Sequence, residues 1–198
     1  MLGLAAGAAL GGCSGIIGPV PMQLYRLDPP ESPAPGPEVR WRLAVAVPDA
    51  AQALDTDRIA LDRGPSRFDY FAGAAWTDRA PALIQGLLIR RFAQSGRIFA
   101  VSRDTDSLRV DYLLRTELRA FEAGYASEGA PPEVAVEIAA TLIHMPLRDV
   151  AQTTLVRHAA LAARNDLEAV VQAFAAATGQ SLDALVLWAL AAPPPGTA

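Results

Sequence analysis

Residues 108–122 read LRVDYLLRTELRAFE, and their alternation decides the fold. Val110, Tyr112, Leu114, Thr116 and Leu118 fall on one side, and Asp111, Arg115, Glu117 and Arg119 on the other. A period of two over this length is the pattern of a half-exposed β-strand, whose successive side chains point to opposite faces. After a Gly/Pro-containing stretch at 124–132, residues 133–145 repeat the pattern with Val134, Val136, Ile138, Ala140 and Leu142. Residues 150–160 repeat it again with Thr154, Val156 and His158. Successive alternating segments with short connections predict an antiparallel meander with one face on the core and one toward solvent.

Upstream of the meander, residues 40–47 (RWRLAVAV) run apolar up to Pro48 and predict a buried strand. Short strands are predicted at 58–61, at 68–71 ending by Gly73, and at 98–101. Between the last two, Trp76 is read as opening a helix capped by Thr77 or Asp78, with Pro81 in its first turn. Leu83, Ile84, Leu87, Leu88 and Phe92 share one face of it, and Ser95-Gly96 ends it. A second helix follows the meander. Asn165 is read as its cap and Glu168 as the capping-box partner. Leu167, Val171, Phe174, Thr178, Leu182, Leu185 and Ala189 form its stripe, and Pro193 to Pro195 stop it. Gly179 in its interior predicts a weak point, costing about 1 kcal/mol relative to Ala. Trp188 is read, like Trp76, as a core residue. The fold class expected is α/β in the α+β sense: a mixed, largely antiparallel sheet with two main helices packed against it.

The N-terminal end carries the only cysteine in the chain. Leu10-Gly11-Gly12-Cys13 follows a run of Leu, Gly and Ala. Small residues before a lone thiol, after a short apolar run, look like a bacterial lipobox, in which the sulfur is acylated, the peptide is cut before the cysteine, and the new N-terminus becomes a membrane anchor. Residues 1–12 are then a signal peptide, although no Arg or Lys precedes Cys13, and an upstream start would supply the basic n-region. Residues 13–39 would hold the lipidated N-terminus, a first strand at 22–27 and a linker with prolines at 29, 30, 33, 35 and 37. Residues 40–192 would form one domain and 193–198 a disordered tail. The apolar run at 182–192 is too short for a bilayer, which needs about 20 residues.

The chain has 198 residues, 52% of them apolar, and a net charge of −4. All 17 basic residues are Arg, scattered without a stripe, which speaks against nucleic acid. His144 and His158 lie on adjacent predicted strands, and they form either a metal pair or two half-exposed strand histidines. The second reading is preferred because no third ligand has metal-site spacing. Asp55, Asp57, Asp62, Asp104 and Asp106 sit in polar turns and read as solvated surface. No Gly-rich phosphate loop or nucleophile elbow is present. Phe68, Tyr70, Phe71 and Trp76 are read as core packing in preference to a contact patch. These observations predict no catalysis, no metal and no cofactor.

The order of segments resembles the ABC-type transport auxiliary lipoprotein family, which includes the lipoprotein of the paraquat-inducible system. The resemblance runs through the lipobox, Tyr25-Arg26-Leu27, Val45-Ala46-Val47-Pro48 and Ala53-Leu54-Asp55-Thr56-Asp57-Arg58-Ile59. It continues through Tyr70, Trp76, the segment at 112–125, Val170-Val171-Gln172-Ala173-Phe174 and Trp188. It implies a mixed α/β fold and a periplasmic subunit of a system that moves phospholipids, sterols or other hydrophobic compounds. The implied partners are an MCE-domain substrate-binding protein and, through it, an ABC permease and ATPase. The implied place is the outer membrane, in keeping with the non-acidic Ser14 after Cys13, with self-association into a ring by analogy. The resemblance supplies no catalytic residue. The docking surface is expected either near 68–76 or on the outer meander face with Arg115, Glu117 and Arg119. Rival readings are a structural lipoprotein that assists assembly of an envelope machine without handling lipid, and a periplasmic hydrolase. Expressed from its native start, the wild-type protein should take up a fatty-acid probe and Cys13→Ala should not. An unlabelled wild type would refute the lipobox reading.

Overall fold

The computed structural model describes residues 21–31, 36–127 and 129–194. The expected signal peptide, Cys13, part of the proline-rich segment and the end of the tail lie outside the described residues. The long alternating segments form three strands: β7 (Tyr112–Gly124), β8 (Glu133–His144) and β9 (Val150–Leu161). They make the predicted antiparallel meander, with Tyr112 opposite His144, Gly124 opposite Glu133 and Val136 opposite His158. Val134, Val136, Ile138, Ala140 and Leu142 are all buried.

The other edge of β7 is shared by three short parallel strands in succession. They are β2 (Val39–Val45), β3 (Asp49–Ala50) and β4 (Arg58–Asp62). Outside them lie β6 (Ile98–Arg103), parallel to β2, and β5 (Phe68–Trp76), antiparallel to β4. Finally β1 (Gln23–Tyr25) runs parallel to β5. The result is a mixed nine-stranded sheet. Its long ladders are antiparallel and its short ones mostly parallel. Because β1 belongs to it, the sheet takes in chain from before the proline-rich segment.

Both helices, α1 (Ala80–Gln94) and α2 (Leu167–Leu190), cover the same face. α2 is long and apolar enough to cross a membrane by length and composition alone. Here it is the core helix: Phe174, Ala177, Leu182, Leu185, Val186 and Ala189 are fully buried. Arg91 of α1, only 4% exposed, ties the helices together. Its Nε lies 3.3 Å from Asp183 of α2, and its Nη2 donates to the Pro30 carbonyl at 2.7 Å.

Several local expectations are corrected. Trp76 does not open α1. It is the last residue of β5, and its N–H donates to Asp57 O at 2.7 Å while Thr77 N donates to Tyr25 O at 3.0 Å. Gly73, at φ +65°, does not end the strand but sits where its register against β4 jumps. This left-handed conformation is cheap for glycine. The extra residues of this irregularity let Ala74, Ala75 and Trp76 continue as buried strand. Neither Thr77 nor Asp78 caps α1. Asp78 accepts from Arg79 N, and the first helical N–H, from Ala80, finds the Thr56 carbonyl at 3.0 Å. α2 is capped by Asp166, whose Oδ1 accepts from Ala169 N at 2.8 Å, and not by Asn165 with Glu168. Asn165 is engaged by the Tyr125 hydroxyl instead.

Gly179 neither breaks nor ends α2. A Cβ there would come within 3.4 Å of Pro29 and Pro30, so the missing side chain makes a notch for that segment. Pro29 is buried, so this stretch of the linker packs against the domain instead of lying free in solvent. β7 starts at Tyr112, because Asp111 bonds across to the Arg42 backbone, and Val110 precedes the strand. Trp188 is half-buried and not a fully buried core residue.

The core centres on three rings from three elements. Trp76 lies 5.1 Å from Phe174 and 5.8 Å from Phe121, and Phe121 lies 4.8 Å from Phe174. Phe121 reaches this cluster through a bulge between Leu118 and Ala120, which shifts the inward phase from Tyr112–Leu114–Thr116–Leu118 to Phe121–Ala123. Trp76, 1% exposed, should cost about 3–5 kcal/mol on replacement by Ala. Trp188→Ala should cost clearly less. Urea melts of the two variants would show this order, and equal costs would contradict the placement.

Candidate docking face and the groups around it

With both helices on one side, no other described element covers the opposite face of the meander. β7 presents Leu113, Arg115, Glu117 and Arg119 there, and β8 presents Ala139, Thr141 and Ile143. Two clefts of about 540 and 420 Å³ lie on this face and share Asp49, Arg115 and Ile143, so they form one continuous groove. Its floor is made of small and aliphatic residues, and exposed Val47 and Val150 line it.

Among the described residues, three ion pairs lie on this face. Arg115 Nη2 lies 3.0 Å from Asp49 Oδ2, Arg119 3.0 Å from Glu117, and Arg157 pairs with Glu137. Exposed pairs of this kind contribute little to stability, with a median near 0–1 kcal/mol. They leave a broad surface of balanced charge over an apolar floor, which suits a protein contact better than a small ligand.

The alternative patch at 68–76 divides along its length. Phe68 is 43% exposed, and its ring stacks edge-on to Tyr70 at 5.6 Å. Tyr70 is held by a hydrogen bond to Ala53 O and by Arg58 over its ring at 3.9 Å. Ala74, Ala75 and Trp76 are buried and unavailable to a partner.

The register separates the two histidines. His158 faces Val136 and His144 faces Tyr112, about 27 Å apart along β8 at the usual rise per residue. Among the described residues no group of His, Cys, Asp or Glu is arranged to hold a metal. His158 Nδ1 contacts Ser181 Oγ of α2 at 3.1 Å. His144 lies between Tyr112, 2.9 Å from Nε2, and Asp149, 3.2 Å from Nδ1. The Tyr112 hydroxyl also donates to the Pro193 carbonyl at 2.6 Å. The period-two reading placed each residue on its strand but did not show this chain, because the meander register assembles it. Burial, then Asp111 and Asp149, raises the Tyr112 hydroxyl above its ordinary pKa. The side chain is 0% exposed, so the arrangement fastens the end of α2 to the sheet and presents no nucleophile to a cleft.

Of the surface aspartates, Asp55 pairs with Arg79 and Asp57 accepts from Thr56. Asp62 accepts from Gly64 N in the β4–β5 turn, and Asp106 accepts from Arg103 N. Asp104 lines the groove near Arg148. None of these contacts forms a catalytic pair. Glu122 is the carboxylate with a raised pKa, through partial burial first and Asp62 second.

The profile of the family described as "ABC-type transport auxiliary lipoprotein component" matches residues 23–186. Among solved structures, protein XCC0632 of Xanthomonas campestris, a DUF330 protein, is 32% identical with a TM-score of 0.79. That alignment covers 85% of this chain and 94% of the other. PelC of Paraburkholderia phytofirmans, a dodecamer, is 13% identical with a TM-score of 0.51, over 82% of this chain and 96% of that one. This second likeness is one of fold. No curated protein matches the chain.

The raised pKa of Glu122 has a testable consequence. A carboxylate whose folded pKa exceeds its unfolded value destabilises the fold at neutral pH, and the penalty disappears below the unfolded pKa. Glu122→Gln should therefore raise the melting temperature at pH 7. The gain should shrink as pH falls through the carboxylate range, where Glu122 is protonated in both states. A gain independent of pH would contradict the assignment.

Proposed function

The chain belongs to the ABC-type transport auxiliary lipoprotein family, and from that membership we propose that it is a non-catalytic, lipid-anchored subunit of an envelope lipid-transport system. Cys13 carries the anchor, on the periplasmic side of the outer membrane. The protein docks on an MCE-domain partner and, through it, serves an ABC permease and ATPase. The cargo is a phospholipid, sterol or other hydrophobic compound.

The observation that carries the docking surface is the open face of the meander. It holds a continuous groove with an apolar floor and internally neutralised charges, while the opposite face is closed by α1 and α2. Of the two surfaces considered from the sequence, this one offers contiguous area. The 68–76 patch is exposed at its start but loses Ala74, Ala75 and Trp76 to the core. Self-association is part of the proposal, since the same fold occurs in PelC, which is a dodecamer. Acylation at Cys13 would hold the protein firmly, because each buried CH₂ adds about 0.8 kcal/mol and several chains act together.

The test is capture of the MCE-domain protein encoded beside this one. The wild type should retain it. Ala139→Arg combined with Ile143→Glu, in the middle of the groove, should weaken capture at least tenfold with the melting temperature little changed. Deletion of the gene should impair lipid trafficking. Absence of capture by the wild type, with trafficking intact in the deletion strain, would refute the proposal in favour of a structural lipoprotein that assists an envelope machine without handling lipid.

A further inference from the structure

The contacts that run from Asp149 through His144 and Tyr112 to Pro193 fix where each hydrogen lies. The Tyr112 hydroxyl has one hydrogen and two neighbours, Pro193 O at 2.6 Å and His144 Nε2 at 2.9 Å. A carbonyl oxygen only accepts, so the shorter contact takes the phenolic hydrogen. His144 Nε2 then donates to the phenol oxygen. On the other side of the ring, Nδ1 faces Asp149 Oδ2 at 3.2 Å. An ionised carboxylate also only accepts, so Nδ1 donates as well. All three contacts are made together only when the imidazole carries a hydrogen on each nitrogen and is a cation.

The surrounding packing holds these groups in place. Tyr112 is fully buried, with its ring edge-on to Trp41 at 5.0 Å and tilted over His144 at 4.8 Å. The β8–β9 turn is closed on itself: Arg148 N donates to His144 O at 2.8 Å and His144 N to Asp149 O at 2.9 Å. Met145 N donates to Asp111 O at 2.9 Å, which ties the turn to the residue before β7. Burial, then Asp111 and Asp149, hold the Tyr112 hydroxyl above its ordinary pKa, so it keeps its hydrogen through neutral pH. Among the described residues, the charged groups around the ring come from three places. Asp111 accepts from Arg42 N at 2.8 Å, and the Arg42 guanidinium of β2 lies over Phe99 at 5.5 Å. The turn brings Asp149 and also Arg148, which lines the groove with Asp104. From β9, residues 150–156 add no ionisable side chain, and from the end of α2, residues 184–194 add none.

A neutral imidazole carries one hydrogen and changes this arrangement. Loss of the Nε2 hydrogen to solvent leaves Nδ1–H on Asp149 and makes Nε2 an acceptor. The single Tyr112 hydrogen then faces two acceptors. Turned to Nε2, it leaves the Pro193 carbonyl without its donor. Kept on Pro193, it leaves lone pairs opposed between the phenol oxygen and Nε2. We propose that the cluster is a proton-dependent latch: the protonated His144 ring lets Tyr112 hold the Pro193 carbonyl, and with it the C-terminal end of α2, and the neutral ring takes the Tyr112 hydrogen and releases that end. Imidazole ordinarily changes charge between about pH 5 and 8. The fastening is therefore complete at the acid end of that range and is lost as pH rises through it. The latch borders the groove through Ile143 and Arg148, and it does not depend on what occupies the groove.

The experiment uses the full chain carrying Cys13→Ala, labelled with ¹⁵N. The His144 ring nitrogens are followed by NMR across the same pH range, and they are identified by their disappearance in His144→Gln. Amide exchange at Ala191 and Ala192 is measured in parallel and corrected for the intrinsic effect of pH on exchange. Both ring nitrogens should carry hydrogen at the acid end, and Nε2 should lose its hydrogen as pH rises. Protection at Ala191 and Ala192 should fall in step by about fivefold, the effect of one net hydrogen bond. His144→Gln and Tyr112→Phe, which keeps the buried ring, should show corrected exchange that does not change with pH. Melting temperatures of the variants guard against misfolding, and the ring titration with the exchange step in the parent decides without them. A His144 ring that stays neutral or stays doubly protonated across the range overturns the latch. So does titration without a change at Ala191 and Ala192, or an exchange step that persists in a folded Tyr112→Phe.

Discussion

The backbone of β7 is the constraint on which the remaining structure depends. A strand buried on both edges must pair its N–H and C=O groups on each side. β8 meets this demand along the whole of one edge. No single strand meets it on the other. There β2, β3 and β4 each take a few residues in turn, all parallel to β7. This division fans the sheet into two branches, one ending at β6 and one at β1. The bulge after Leu118 then turns Phe121 inward at the base of the second branch, where Trp76 and Phe174 complete the aromatic cluster. The groove of the open face occurs where this arrangement leaves the sheet uncovered.

What the sequence made legible follows from this. β8 and β9 were readable almost to the residue, because an antiparallel strand half-covered by helices must alternate, and nothing local competes with that pattern. The long-range pairing of β2, β3 and β4 was not readable. The residues of β2 and β4 announce strands and the two residues of β3 do not, and parallel order is set by crossovers and leaves no local mark. The start of α1 was misplaced because Trp76, Thr77 and Asp78 carry an acceptable capping pattern, while tertiary pairing with β1 and β4 holds Trp76 in the sheet. The cap of α2 was displaced by one residue because Asn165 and Asp166 are both good capping residues. Tyr125 takes the first, leaving the second for Ala169 N. The Tyr112–His144–Asp149 chain joins residues of different elements, so only the register brought them together.

The functional picture is of a molecule with unlike surfaces. Helices close one face. The other face is a broad, charge-balanced groove suited to a protein. The N-terminal segment is fastened along the body by Tyr25, the buried Pro29 in the notch of Gly179, and Arg91 on Pro30 O.

The central claim is that the open meander face meets the transport partner. It is tested most directly by a photo-crosslinking amino acid placed at single positions in cells, with the lipid anchor intact. Position 139 lies in the groove, and position 187 lies exposed on α2 on the opposite side. The account predicts a crosslink to the MCE-domain protein from position 139 and none from position 187. A crosslink from position 187 with none from position 139 would contradict it.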